Sequence, residues 1–101
     1  MKLVIVTAVD EYKKEVIDLF RRAGIENFSE SDVEGHKTTA TNNLVSSWFA
    51  REGSRADSEL FFSFAEEDTV DELFKLIKGF NQNLETNNPL KAVVVPIEKH
   101  I

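Results

Sequence analysis

The chain contains no cysteine, so it has no disulfide framework, no thiolate metal site and no cysteine nucleophile. Its four glycines are scattered, and no glycine-rich loop stands where one would cradle an anion. Basic residues are in deficit: 12 Lys and Arg face 18 Asp and Glu, giving a net charge of −6 and a pI near 4.9. A phosphate-binding face needs the opposite sign, which argues against a nucleic-acid partner. The apolar run that opens the chain is too short to span a bilayer and lacks a cleavage-site pattern, so it reads as a strand rather than a signal peptide. No direct membrane insertion and a cytoplasmic location are expected.

What is there describes an ordinary globular domain. The chain has 101 residues, 42% of them hydrophobic and 30% charged. That is one domain, residues 1–101, without room for a second core. A domain this small buries roughly 60–70% of its unfolded surface, so self-association would help it.

Six elements are expected. Lys2 to Val9 is apolar and β-branched, a buried strand. Asp10 caps a helix to about Ala23, with Tyr12, Val16, Leu19, Phe20 and Ala23 as its apolar stripe and Gly24 as its stop. Phe28 to about Lys37 is a weaker strand rich in carboxylates. Glu59 to Ala65 is the third strand, with Leu60, Phe62 and Phe64 on one face and Phe61 on the other. Thr69 and Glu72 have capping-box spacing for a second helix, whose stripe is Val70, Leu73, Phe74, Ile77 and Phe80. Glu66, Glu67 and Asp68 suit the helix dipole better than a cation site. Asn81 to Pro89 reads as a polar turn, and Leu90 to Val95 as the last strand, ended by Pro96.

The order β-α-β, long loop, β-α-β predicts an α+β sandwich of the ferredoxin-like type: a four-stranded antiparallel sheet with two helices on one face. The apolar first and third strands suit the centre, and the polar second and proline-ended fourth suit the edges. Neither face of the first strand is polar, which implies that the sheet face away from the helices is also covered. Val4, Val6 and Phe61 are expected on or near that second face. A further subunit is favoured over the long loop or the tail as its cover.

Residues 38–57 form a long polar stretch, more than the roughly 12–15 residues that compact domains keep without a binding role or disorder. It holds the single Trp, Trp48, beside Phe49, with Arg51 and Arg55 following. Two readings of the aromatic pair stay open: a partner-docking anchor, or a loop that folds back over its own sheet. A mobile loop that orders on a partner is the expectation carried forward.

The segment Ala23-Gly24-Ile25, Phe28-Ser29 and Asp32-Val33-x-Gly35 resembles the end of the first helix and the second strand of the P-II signal-transduction proteins. Their pattern there is Ala-Gly-Val, a Leu-Thr pair and Glu-Val-x-Gly leading into a long "T-loop". The order and lengths of the elements match that layout along the whole chain. The end, Val94-Val95-Pro96-Ile97, is similar to P-II-like relatives found beside metal-efflux systems. The resemblance implies a homotrimer with ligand clefts between subunits, and a T-loop that engages a protein partner, a membrane transporter among the candidates. Gly35 is the one ligand position that carries over with a motif behind it, and His36 and Lys37 follow it as candidate ligand contacts. Trp48 and Phe49, with Arg51 and Arg55, are the candidate partner contacts, read from the loop's own residues rather than from the family. The family's glycine-rich phosphate loop after the second helix is replaced by residues 83–91, which hold no glycine. Its paired arginines after the last strand and the modified tyrosine of its T-loop are missing too. Nucleotide sensing of the family's usual kind is thus not expected, and the cofactor is unknown.

Other chemistry finds little support. His36 and His100 lack ligand spacing, which favours two surface histidines over a metal pair. No nucleophile, base and anion clamp stand together, so no catalytic residues are assigned and an enzyme is not expected. An RNA-recognition module shares the topology but needs a basic-Gly start and a basic protein. A metal-binding or metal-tolerance protein of the same fold is the alternative to a regulatory protein.

Overall fold

The computed structural model describes residues 1–37, 48, 54–84 and 88–101. Strand β1 is Lys2–Val9, followed by a 3-10 turn at Asp10–Tyr12 and helix α1 at Lys13–Ala23. Strands β2 (Ser29–Lys37) and β3 (Ser54–Ala65), helix α2 (Glu67–Gln82) and strand β4 (Lys91–Pro96) complete the chain order. The sheet runs β2-β3-β1-β4 with every neighbouring pair antiparallel. This is the expected ferredoxin-like α+β arrangement, with β1 and β3 central.

The register divides the sheet cleanly. Val4 lies opposite Ser63 and Val94, and Val6 opposite Phe61 and Ala92. These rows lie beneath the helices: Val4, Val6 and Phe61 are fully buried with Val16, Phe20 and Leu73. The rings of Phe20, Phe28 and Phe61 form the aromatic centre of that core, with Phe20 edge-on to Phe28 at 5.2 Å and to Phe61 at 5.8 Å. The expectation that Val4, Val6 and Phe61 face away from the helices is therefore reversed. Two-residue alternation separates two faces but does not say which one the helices take. The open face instead carries Leu3, Ile5, Leu60, Phe62, Phe64, Val93 and Val95. Phe64 is 54% exposed, Val95 42% and Phe62 38%.

The helix stops and starts divide in the same way. Gly24 sits at φ 91°, in the left-handed region, and its N–H donates to the Arg21 carbonyl at 3.0 Å. A side chain there would have open space around it, so the backbone conformation alone calls for glycine. Asp10 does not cap α1: it lies in the 3-10 turn, and no side chain caps either start. Thr69 likewise does not cap α2, which begins two residues earlier at Glu67. The Thr69 N–H instead donates to Asp68 Oδ1 at 2.9 Å.

Asn81 belongs to α2 rather than to a turn. Its side-chain amide donates to the Leu90 carbonyl at 3.0 Å, and its Oδ1 accepts from the Leu90 N–H at 2.8 Å. The pair acts as a one-residue bridge that fixes where β4 begins, with Leu90 buried beside it. Replacing Asn81 by Ala leaves both Leu90 groups without that partner and should cost about 1–3 kcal/mol in urea unfolding. Asn83→Ala, which removes one exposed bond to Gly79, should cost clearly less.

Candidate functional site

Beyond the Phe61 row, the helix-side face of the sheet turns acidic. Asp32 on β2 lies directly opposite Glu59 on β3, and two residues further out Glu34 lies opposite Asp57. Like charges set directly across antiparallel strands destabilise the pair. Asp10 reaches the same place from the 3-10 turn. One carboxylate oxygen each from Asp10, Asp32 and Glu59 lie within 4.8 Å of one another.

Glu59 is the unusual member. It is only 4% exposed, because it continues the buried side of β3 next to Ala8, where β3 meets the 3-10 turn. Asp10 and Asp32 are exposed. Lys13 at the start of α1 faces the group, but its ammonium lies 3.7 Å from Glu30. The Glu59 carboxyl is pushed up to about 7, first by donating a hydrogen bond to Asp32, then by burial and by the Asp32 charge. Lys13 opposes the shift and Asp10 adds to it.

The candidate ligand residues lie further along the same arm. Gly35, His36 and Lys37 end β2, opposite Ala56, Arg55 and Ser54. His36 Nε2 is 3.7 Å from Glu34 Oε2. Arg55 is thus brought beside His36 by backbone pairing, inside a strand rather than in the loop. Strand β3 starts at Ser54, so residues 54–57 extend the sheet and the connection between β2 and β3 is residues 38–53. Trp48 is half-buried. Phe49 and Arg51, and most of the stretch expected to be mobile, lie outside the described residues.

Sequence reasoning missed the acidic group because each member had a ready explanation. Asp10 looked like a helix cap, Asp32 like part of a motif and Glu59 like a strand boundary. One signal was available: Glu59 and Phe61 share a parity, so a buried Phe61 implies a buried carboxylate two residues away.

No protein-family model matches the chain, and no curated protein matches its sequence.

The raised Glu59 value sets a direction for stability. The group's ordinary value, which the unfolded chain has, is 4.5, and the folded value is about 7. Between them the folded state holds more protons, so this group's contribution is complete below about 4.5 and is lost as pH rises through about 7. Urea unfolding of the native chain and of Glu59→Gln should therefore diverge across that window, the native chain losing stability relative to the variant. Parallel pH profiles would show that the Glu59–Asp32 pair does not share a proton.

Proposed function

We propose that the chain is a P-II-like regulatory protein that assembles as a homotrimer and acts by ligand-responsive contact with a protein partner. The observation that carries this reading is the open sheet face. Its rows Phe64–Leu3–Val95 and Phe62–Ile5–Val93 put apolar side chains on three neighbouring strands. Ser29, Ser31, Thr7 and Lys91 bound the patch on its polar sides. The rings of Phe62 and Phe64 stand edge to face at 6.3 Å. A contiguous apolar face with a polar border suits an interface between subunits. Burying an exposed Phe or Val side chain is worth roughly 1.5–3 kcal/mol, so a few such residues supply a substantial drive to assemble.

The ferredoxin-like order and the Ala23-Gly24-Ile25 and Asp32-Val33-x-Gly35 segments support the P-II-like part of the reading. In it, Gly35, His36 and Lys37 contact the ligand at the base of the arm. Trp48, Phe49, Arg51 and Arg55 contact the partner, for which a membrane transporter is one candidate. The protein works in the cytoplasm and by binding rather than catalysis. Among the described residues no helix is long and apolar enough to cross a membrane.

Phe64→Asp tests the assembly. Phe64 is more than half exposed in the single chain, so the substitution should leave the fold nearly unchanged. Light scattering should show the native trimer reduced to monomers, with an unaltered circular dichroism spectrum. An unchanged mass would remove the sheet face from the interface.

Nucleotide binding tests the departure from the family pattern. Residues 83–91 contain no glycine whose backbone could wrap a phosphate. Calorimetry should find ATP binding weak or absent. A Kd below about 10 μM, about −7 kcal/mol, would contradict this.

A further inference from the structure

The arm formed by β2 and β3 leaves the body of the sheet at a definite row. Strand β1 accompanies β3 only from Ala65 to Ser58, where Val9 ends the pairing. The β2–β3 ladder runs on for four more rows, from Asp57 opposite Glu34 to Ser54 opposite Lys37. Among the described residues these rows have no third strand, and a two-stranded ribbon is marginal without further support. The Asp32–Glu59 pair lies in the last row but one that β1 still supports. Its two carboxyl groups are hydrogen-bonded across the strands, on a side where Glu59 is 4% exposed. A contact of this kind needs one proton between the two groups. Two ionised carboxylates set directly across antiparallel strands repel, and burial removes the water that screens them. The other charged groups facing Glu59 are Asp10 from the 3-10 turn and Lys13 from α1. Glu30 and Glu34 flank Asp32 along β2, and Asp57 follows on β3. Lys13 is the one cation among these groups, and its ammonium lies 3.7 Å from Glu30. Strand β1 brings Ala8 and Val9 to this end, which carry no charge.

We propose that the proton shared by Glu59 and Asp32 is a latch at the root of the arm, closed while the proton is present and opened by its loss. Closed, the Glu59 carboxyl donates to Asp32 and ties β3 to β2 just where the third strand ends. Open, the two carboxylates push the same strands apart at that row. The four rows beyond it have only each other, so they loosen before the body of the sheet does. The folded chain keeps this proton until pH rises through about 7, whereas an ordinary glutamate loses it near 4.5. The arm is therefore stiff on the acid side of neutrality and loose on the alkaline side. The latch stands on the strand pairing and not on the regulatory reading or on assembly. Where Gly35, His36 and Lys37 contact a ligand, as in that reading, the latch sets how firmly they are presented.

Amide hydrogen exchange, divided by the intrinsic rate at each pH, reads the latch directly. It is followed from about pH 5.5 to about pH 8.5 in the native chain, Glu59→Gln and Asp32→Asn. In the native chain the protection of residues 33–37 and 54–57 should fall about tenfold or more over that range, while β1 stays protected. Glu59→Gln keeps a permanent donor toward Asp32, and Asp32→Asn removes one of the two charges, so both variants should hold the arm protected throughout. His36 is a second titratable side chain on the arm, 3.7 Å from Glu34, and both variants retain it. A loss of protection that persists in the variants therefore belongs elsewhere and overturns the latch, as does native protection that does not change with pH. The ¹³C resonance of the Glu59 carboxyl supplies a second reading that needs no variant to fold. A midpoint near 7 is expected, and one near 4.5 removes the shared proton and the proposal with it. Neither readout reports mass or ligand binding, so failure here leaves the regulatory reading as it stands.

Discussion

Everything else in this structure depends on which side of the central strands lies under the helices. In β1 and β3 the side chains alternate, and a shift of one residue would exchange the two faces completely. The helix side received Val4, Val6 and Phe61, which join Phe20 and Leu73 in the core. The other side received Phe62 and Phe64 and remains open. The same parity places Glu59 on the buried side, two residues from Phe61, and so sets a carboxyl group at the edge of the core. Core, open face and carboxylate group are three consequences of a single register.

Much of the fold was legible because it rests on patterns with a clear period. The helical stripes of Val16, Leu19 and Phe20 and of Val70, Leu73 and Ile77 are buried as read. Gly24 stops α1 as read, since only a left-handed conformation ends the helix there. Central and edge strands could be told apart by polarity. What could not be read was the hand of the alternation: β1 is apolar on both sides, so its own sequence carries no preference. Phe61 against Phe62 and Phe64 offered one aromatic against two, and the larger set lies outside.

The misread local details have other causes. Asp10 and Thr69 have the chemistry of caps, but a 3-10 turn and an earlier helix start took those roles away. Asn81 has the composition of a turn, yet its amide satisfies both backbone groups of Leu90 from within a helix. For Asn81 a contact nine residues away overrode a short-range preference; for Asp10 and Thr69 the helix simply starts elsewhere. The candidate site was hidden as the Asn81 bridge was. Asp10, Asp32 and Glu59 are distant in sequence and carry no spacing motif, and the pairing of β3 with β1 on one side and β2 on the other brings them together.

The open face gives the account its central claim, that this chain is complete only as an assembly of copies. Sedimentation equilibrium of the native chain at micromolar concentration tests it most directly. The account predicts a mass three times that of the 11.5 kDa chain. A mass of one chain, unchanged as concentration rises, would contradict it.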